Sequence, residues 1–437
     1  MKLRPLAIAL AAALLAAGCG GGDADPGSTD ALPPADPASV TGEVTVLTNR
    51  TDLVTDGTMK KYADEFKKTY PGVTVKFEGI TDYEGEVKIR MNTENYGDVL
   101  LIPNTIVRDD YPKFFANLGS VSSVGGKYLF TDKSTVSGKV YGLAGFGAVN
   151  GFVYNKEVWA QAGLTQWPTT PEGFLAALQA IKDKTQAIPY YTNYKDGWPL
   201  TSWSSVVGSV TCDTKAQDKL ASATDPWAAG SDLRAGDGLL FNIVKNKLSE
   251  PDPATTNWED SKGLIATGKV GSMWLGSWAI AQMQDAAKKA GKDPATIGYM
   301  PFPAQVNGKY CSVLSPDYQY AVNVHSKSKP AARAWIDWML DKSGFAEANQ
   351  AVSTVKGAPL PSALKPFTDN GVQFIELSQE KAGLFNKIDN ASEVGLNKQD
   401  YRQRLVDVAR GAAPGDLNSV LGELARKWSE AAKLAGS

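Results

Sequence analysis

Strand-like and helix-like segments alternate at the start of the globular part of the chain, and this alternation constrains the fold more than any other feature. The run EVTVLT (43–48) is rich in β-formers, and the next run repeats its apolar residues with a helical period until Pro71 and Gly72 end it. VTVKFE (73–78) then alternates as a strand, and DVLLIP (98–103) is a continuous apolar strand. This βαβαβ order predicts an α/β fold with a largely parallel sheet.

Three later segments have the pattern of amphipathic helices. In TTPEGFLAALQAIKDK, Thr170 is the expected N-cap and Pro171 the first helical residue, and SKPAARAWIDWML repeats this start with Ser328 and Pro330. A third helix is predicted over 416–434. The α/β pattern therefore continues through a chain of 437 residues, a length that indicates two or three domains.

The N-terminus has the layout of an export signal. Lys2 and Arg4 precede an uninterrupted apolar run over 6–17, which is too short to span a bilayer. Gly18 follows that run as a small residue. We therefore predict that residues 1–18 are a signal peptide.

The three cysteines have different expected roles. Gly-Cys at the end of the apolar run resembles a bacterial lipobox with a lipidated Cys19, although Ala16 stands where leucine is usual, and plain secretion is the alternative. Residues 19–41 are rich in Gly, Pro, Asp and Ser, which predicts a flexible tether behind the anchor. Cys212 and Cys311 remain, and in an exported protein they form either one disulfide or two buried free thiols.

Charge and motifs argue against several classes of function. The formal net charge of −2 becomes −4 once Lys2 and Arg4 leave with the signal peptide, so we expect no nucleic-acid partner. His325 is the only histidine, and GxSxG, GxxxxGK[ST] and HExxH are absent, so we predict no catalytic residue, no metal site and no cofactor. A glycosidase stays open, because its two carboxylates need no local spacing.

Several segments in one order resemble a known family. VYGLAGFGAVNGFVYNKEVWAQAGLTQWPTTPEGFLAAL (140–178) is similar to the extracellular solute-binding proteins of ABC importers, in the family-1 carbohydrate-binding group related to maltose-binding protein. GKVGSMWLGSWA resembles the family's Gly-Lys-x-x-Met strand and Gly-x-Trp turn. YMPFP and AVNVHSKSKPAARAWIDWML resemble its return strand and helix. The resemblance covers most of the chain from 43 to about 340.

The resemblance implies a two-lobed, periplasmic-binding-protein-like fold of type II. Each lobe would be a mostly parallel sheet flanked by helices, and the chain would cross the hinge several times, with the lobes closing on ligand. Lobe one would comprise 42–147 plus 315–372, and lobe two 148–311 plus 373–437. The implied partners are a carbohydrate ligand and the transmembrane permease subunits of an ABC importer, at the outer face of the cytoplasmic membrane. We expect a lipid-anchored monomer without chemistry of its own.

A sugar presents an apolar face and a rim of hydroxyls, so its site needs flat aromatic rings and hydrogen-bonding groups. Trp278, after the predicted turn at Gly276, is the predicted platform, with core packing as its alternative, whereas Trp274 is assigned to the core or the cleft wall. The other candidates follow predicted strands, lie in YYTNYKDGWPL or TDYEGE, or flank a hinge crossing: Asn49, Arg50, Tyr83, Glu84, Asn104, Thr105, Phe146, Asn150, Tyr194, Asp196, Trp198, Asp317 and Tyr318.

The same scaffold could serve a different solute, and this is the main alternative. A polyol, a phosphodiester or a peptide would each fit a two-lobed receptor, and an anion would require a cluster of Arg and Lys in the cleft. Arg50 is the only obvious candidate for such a cluster. An exported glycosidase is the third hypothesis, and it would require two carboxylates in the cleft.

Overall fold

A computed structural model describes residues 31–435 of the chain. The predicted signal peptide and Cys19 lie outside the described residues, as does the first part of the predicted tether. Within the described part, no helix has the length and apolar character needed to cross a membrane.

The end of the predicted tether is docked on the protein body. The backbone N–H of Leu32 donates to the carbonyl of Asn117 at 2.7 Å, and Arg333 donates to the carbonyl of Leu32 at 3.0 Å. Val40 is buried. The prediction of a flexible tether through residue 41 is therefore wrong for residues 32–41, because this segment has backbone partners that its composition does not reveal.

Residues 31–435 contain thirteen strands, which form three sheets. In chain order the strands are β1 Gly42–Thr48, β2 Val73–Gly79, β3 Val99–Leu101, β4 Gly119–Ser120, β5 Thr135–Val136, β6 Lys139–Val140, β7 Leu143–Ala144, β8 Gly147–Asn155, β9 Ser272–Gly276, β10 Ile297–Met300, β11 Cys311–Pro316, β12 Gln319–Val322 and β13 Gln373–Ile375.

Eighteen α-helices accompany them within the described residues, together with short 3₁₀ turns. The helices are α1 Thr51–Thr55, α2 Thr58–Thr69, α3 Tyr83–Arg90, α4 Tyr111–Phe114, α5 Val121–Val124, α6 Lys156–Gln161, α7 Pro171–Lys184, α8 Trp198–Thr201, α9 Ala216–Leu220, α10 Asp232–Lys245, α11 Trp258–Ala266, α12 Ala279–Lys289, α13 Lys329–Asp341, α14 Phe345–Ala348, α15 Lys365–Asp369, α16 Ala382–Ser392, α17 Asp400–Ala409 and α18 Leu417–Ala435.

The first lobe is built on a five-stranded sheet in the order β2-β1-β3-β12-β7. β1 pairs in parallel with both β2 and β3, as the alternating pattern predicts. β12 runs antiparallel to β3 and to β7, because it returns from the second lobe. The carboxyl ends of β1 and β3 lie at one edge of this sheet, where α/β sheets place ligand-binding loops.

The second lobe departs from the prediction of a mostly parallel sheet. The nine-residue β8 lies centrally and pairs antiparallel with β9, β10 and β11, and only β11 and β13 pair in parallel. β8 enters from the hinge, and its neighbours run back toward the hinge, so their direction is opposite to that of β8. The local strand pattern does not contain this information.

Two further observations locate the chain crossings. Lys356 donates its backbone N–H to Lys127 of lobe one at 2.9 Å, whereas Leu364, Phe367 and Val372 lie in an apolar cluster of lobe two. Phe367 stacks on Tyr299 of that cluster with 5.2 Å between ring centroids. We therefore propose that the last crossing lies between 356 and 364, and that residues 364–372, assigned to lobe one from sequence, belong to lobe two.

Candidate ligand-binding site

Three half-buried tryptophans of lobe two lie together and form what we call the tryptophan cluster: Trp198, Trp258 and Trp278. Their ring centroids are 4.8 Å apart for Trp198 and Trp258, 5.8 Å for Trp198 and Trp278, and 5.9 Å for Trp258 and Trp278. Within residues 31–435 none of the three indole nitrogens donates a hydrogen bond. The cluster therefore offers aromatic surface and free N–H donors, which suits a ligand with both C–H faces and oxygens.

Trp278 is positioned by the turn after β9. Gly276 lies opposite Asn150 on β8, and the backbone N–H of Ser277 donates to the carbonyl of Val149 at 2.8 Å. A Cβ added to Gly276 would overlap the indole nitrogen of Trp278, so only glycine leaves room for the ring. Trp278 is the N-cap residue of α12 and packs against apolar clusters of both lobes. It thus lies where the two lobes meet.

Trp274, four residues earlier, has the role that the sequence assigns to it. Its side chain is 1% exposed, and its indole nitrogen donates to the carbonyl of Ser202 at 2.9 Å. The ring packs at 4.9 Å from that of Phe152 on β8. Trp274 is a core residue.

Trp258 is a member of the cluster that sequence reasoning missed. It begins α11, whose N-cap is Asn257, and its backbone N–H donates to Oδ2 of Asp196 at 2.7 Å. The ammonium of Lys262, one turn later, lies 5.1 Å from the Trp258 ring centroid. Asp196, predicted as a ligand contact, therefore holds α11 and Trp258 in place. The only sequence signal for Trp258 is an aromatic residue directly after an N-cap.

Glu84 is the central polar residue on lobe one. It lies in the first turn of α3, and its Oε1 accepts hydrogen bonds from the backbone and side-chain nitrogens of Asn104, each at 3.1 Å, and from the hydroxyl of Tyr318 at 2.9 Å. Its other oxygen, Oε2, is buried and has no partner among the described residues. The fold thus brings together three residues predicted from distant parts of the sequence, and leaves one carboxylate oxygen free to accept from a ligand hydroxyl.

Gln319 adds an acceptor that the sequence did not indicate. Its Oε1 is buried without a partner in the described part of the chain. It lies two residues after Asp317, at the start of β12, and its backbone carbonyl accepts from the N–H of Ile102 at 2.8 Å. Lobe one therefore presents unpaired oxygen acceptors, whereas lobe two presents aromatic rings.

Tyr83 has a supporting role in place of the predicted ligand contact. The side chain is 4% exposed, and its hydroxyl accepts from the N–H of Leu101 at 2.7 Å and donates to the carbonyl of the same residue at 3.2 Å. Its ring lies 5.9 Å from that of Tyr318. Because its polar group is used inside lobe one, we withdraw Tyr83 as a contact.

Tyr194 and Phe146 also have partners within the protein. The hydroxyl of Tyr194 donates to Asp407 on α17 at 2.9 Å, which holds the ring against the C-terminal helices. Phe146 is buried, with its ring 6.0 Å from that of Phe345 in the lobe-one core. Tertiary partners far along the chain hold both side chains in place, and their contact with a ligand stays a prediction.

The remaining predicted polar residues have free side chains. Asn49 follows β1, Thr105 follows β3 and Asn150 lies in β8 at the hinge. None of the three side chains makes a hydrogen bond within the part of the chain that the structure describes. Their role as ligand contacts stays a prediction.

Arg50 and Lys262, two cations near the site, are already paired. Arg50 donates two hydrogen bonds to Asp52, at 2.9 and 2.8 Å, and one to Asn349 at 2.7 Å. Lys262 is paired with Glu259 at 2.9 Å. Against the effect of burial, the hydrogen bond and the charge of Arg50, with a smaller contribution from Lys262, keep the pKa of Asp52 below its usual value. The charge of each cation is thus already balanced by a carboxylate, which favours a neutral ligand.

Asp317 is a half-buried carboxyl group beside these residues. Its backbone N–H donates to the carbonyl of Phe146 at 3.0 Å. Burial raises the pKa of Asp317 to about 6, against the opposing effects of the Tyr318 backbone and of Arg50. The folded protein therefore retains a proton on Asp317 at a pH where the unfolded chain has released it.

This raised pKa predicts a pH-dependent stability. The cost of the charged form is fully present above pH 6 and is relieved as the pH falls from 6 toward the ordinary value of 3.8. We expect Asp317→Asn to raise the free energy of unfolding by about 1–3 kcal/mol at pH 8, and by much less at pH 4. Urea unfolding at both pH values measures this, with exposed Asp64→Asn as the control. An equal effect at the two pH values would contradict it.

A well-defined cavity of lobe two lies apart from the candidate site. A cavity of about 240 Å³, lined by Lys156, Gln284 and Tyr299 among others, contains none of the site residues named above. Hydrogen-bonding capacity and aromatic surface, not enclosed volume, identify the candidate site.

Two α/β lobes, with aromatic rings on one and unpaired acceptors on the other, define a class of protein that captures a solute between domains. The chain belongs to the family of bacterial extracellular solute-binding proteins, whose model matches residues 51–344. Membership of this family places the protein outside the cytoplasm.

Curated relatives and solved structures agree with this family. The multiple sugar-binding protein of Streptococcus mutans is 24% identical over 337 residues, covering 72% of this chain and 77% of that protein. The diacetylchitobiose binding protein DasA of Streptomyces coelicolor is 28% identical over 327 residues, covering 68% and 72%. BlMnBP2 of Bifidobacterium animalis subsp. lactis, a manno-oligosaccharide specific solute binding protein solved with mannotriose, is 29% identical with a TM-score of 0.86, covering 91% and 96%. BlMnBP1 of the same organism, solved with mannobiose, has the same identity and TM-score and covers 94% and 97%.

Proposed function

We propose that this protein is a receptor that captures a neutral carbohydrate between its lobes and delivers it to the permease of an ABC importer, with no chemistry of its own. Two observations carry the proposal: lobe one has an unpartnered carboxylate oxygen on Glu84, and lobe two has the tryptophan cluster, whose Trp278 packs against apolar clusters of both lobes. Sugars have the hydroxyl donors and the apolar ring faces that such a pair of surfaces binds.

The relatives suggest which sugars to test first. Mannobiose and mannotriose are bound in the similar structures from Bifidobacterium, and diacetylchitobiose is named for the Streptomyces relative. The paired state of Arg50 and Lys262 supports a neutral ligand over a phosphodiester or an acidic peptide.

A thermal-shift screen tests the proposal. At a ligand concentration of 100 times Kd, binding should stabilise the folded state by about 2.7 kcal/mol, which is readily seen as a rise in Tm. We expect at least one neutral oligosaccharide to do this and to be recovered intact after incubation. Stabilisation by anions or peptides alone would point to another solute, and consumption of the sugar would identify a glycosidase.

Trp278 is expected to be a binding platform. We predict that Trp278→Ala weakens affinity for the stabilising sugar by about 1–3 kcal/mol and changes the Tm of the ligand-free protein little, because the half-buried ring stands at the lobe boundary. Trp278→Phe should retain part of the affinity. Titration calorimetry and ligand-free melting curves measure both effects. Unchanged affinity with a large loss of Tm would assign Trp278 to the core.

We also propose that Cys19 carries the lipid anchor and that the mature protein acts as a monomer at the outer face of the membrane. Removal of residues 1–18 would leave Cys19 at the mature N-terminus, joined by a short polar segment to the docked residues 32–41. Cys19→Ser should move the protein from the membrane fraction to the medium or periplasm. Membrane association that survives this change would rule the anchor out.

A further inference from the structure

Lys133 makes a contact between the two lobes that is not part of the site described above. It lies in the 3₁₀ turn Thr131–Ser134 of lobe one. Its ammonium donates to the carbonyl of Leu377 at 3.1 Å. Leu377 follows β13 and packs against the main apolar cluster of lobe two. One lysine side chain thus reaches from one lobe to the backbone of the other.

Two acidic side chains of lobe two lie near enough to the same ammonium for their charges to act on it. Glu376 precedes Leu377, and the charge of Lys133 opposes the rise that burial causes in the pKa of Glu376. Asp218 is 6% exposed, and its Oδ1 accepts from the N–H of Lys381 at 2.8 Å, whereas its Oδ2 is buried without a partner in the described chain. We call the Leu377 carbonyl, Glu376 and Asp218 the lysine socket. Burial lowers the pKa of Lys133, and the charges of Asp132, Glu376 and Asp218 oppose this.

The lysine socket is held in shape by lobe two itself. Ser378 donates its N–H to the carbonyl of Thr214 at 2.8 Å. A disulfide joins Cys212, two residues before Thr214, to Cys311 on β11, with 5.5 Å between the Cα atoms. β11 pairs in parallel with β13, the strand that leads into the socket. The socket therefore keeps its geometry whether or not Lys133 occupies it, because its backbone is fixed by a covalent link and by a strand pair.

Open space lies beside this contact. A cavity of about 370 Å³ is lined by residues of lobe one, Arg108, Val121, Asp132 and Thr135, and by Gln379 and Glu380 of lobe two. The lobes are thus separated by solvent-sized space next to the contact that Lys133 makes. A side chain in this position affects how far apart the lobes lie.

We propose that Lys133 is a positioning residue for ligand capture. Its ammonium in the lysine socket favours the lobe arrangement seen in this structure, which is similar to that of the mannotriose-bound relative with a TM-score of 0.86, and so raises ligand affinity. A ligand that binds between the lobes prefers the closed state, and any contact that populates this state beforehand lowers the apparent Kd. Only the affinity part of this inference rests on the proposed function. The effect on lobe separation does not need a ligand.

The test compares Lys133→Met with Lys113→Met. Lys113 is also on lobe one, but its ammonium is paired with Asp110 of the same lobe. Lys113→Met therefore removes the same charge without removing a contact between the lobes, and serves as the matched control. In the ligand-free protein we expect small-angle X-ray scattering to give a larger radius of gyration for Lys133→Met than for the control. With the sugar found by the thermal-shift screen, we expect about a three- to tenfold weaker affinity for Lys133→Met, mostly through faster dissociation.

A second variant tests the socket from lobe two. Glu376→Gln should also weaken ligand affinity. The double variant with Lys133→Met should raise Kd by less than the product of the two single fold-changes, because both substitutions remove the same interaction. If Lys133→Met fails to fold, Glu376→Gln alone tests whether the lysine socket raises ligand affinity.

Equal radii of gyration for Lys133→Met and Lys113→Met would overturn the inference even if sugar binds normally. Failure of every sugar to bind, with the expected change in radius, would instead overturn the proposed function alone.

Discussion

Replacing Asp237 by alanine should lower the free energy of unfolding by about 3–5 kcal/mol. Asp237 on α10 and Arg402 on α17 form an ion pair at 2.9 Å, and both side chains are 0% exposed. Oδ2 of Asp237 also accepts from the indole nitrogen of Trp227 at 2.7 Å and from the hydroxyl of Tyr401 at 3.3 Å. The substitution leaves a buried cation without its counter-ion and two donors without an acceptor, and each of these groups destabilises the folded state.

Urea unfolding with a fitted m-value measures this loss. Glu430→Ala, which breaks an exposed pair with Arg426, is the matched control and should cost less than about 1 kcal/mol. The double variant Asp237→Leu with Arg402→Met should recover much of the stability, because it removes both charges together. A loss of under about 1 kcal/mol for Asp237→Ala would show that Arg402 finds another partner or remains hydrated.

Replacing Glu84 by alanine should weaken ligand affinity by about 2–4 kcal/mol, or roughly 30- to 1000-fold in Kd. The carboxylate fixes Asn104 and Tyr318 through Oε1 and offers Oε2 to the ligand. Its loss removes one charged acceptor and frees two neighbouring side chains at once. Titration calorimetry with the sugar found by the screen measures the change.

Two variants control for the chemistry and the position of Glu84. Glu84→Gln keeps an oxygen acceptor and should lose less affinity than alanine. Glu86→Ala removes an exposed carboxylate from the same helix, where it is paired with Arg90, and should leave affinity unchanged. Equal affinities for Glu84→Ala and Glu86→Ala would remove Glu84 from the site.

Single strands and helices were predicted well from periodicity and capping residues. The strand predicted over 43–48 is β1, Gly42–Thr48, and the helix predicted over 416–434 is α18, Leu417–Ala435. The Thr170 side chain caps α7 as predicted, accepting from Gly173 at 3.0 Å. Ser328 occupies the N-cap position of α13, but its side chain makes no capping hydrogen bond. Caps and periodicity depend on residues within one turn, so the sequence contains most of what determines them.

The candidate site was predicted only in part, because its geometry depends on contacts between residues far apart in the sequence. Glu84, Asn104 and Tyr318 do lie together, as expected for residues near the carboxyl ends of strands in one sheet. Trp258 was missed, because its place in the tryptophan cluster depends on Asp196, 62 residues earlier in the chain. The partner of the Tyr194 hydroxyl, Asp407, could not be predicted either, because it lies 213 residues away. Contacts of this kind leave no periodic trace in the local sequence.

The sequence by itself determined the α/β class, the export signal as an expectation and most of the residue types that a sugar site needs, because each depends on composition, spacing or strand-end position. Only the tertiary structure decided the antiparallel sheet of lobe two, the docking of residues 32–41 and the contact of Lys133 with the lysine socket. Strand direction and inter-lobe contacts are set by how distant segments pack against one another, and the free energy of such packing depends on positions that no single stretch of sequence specifies.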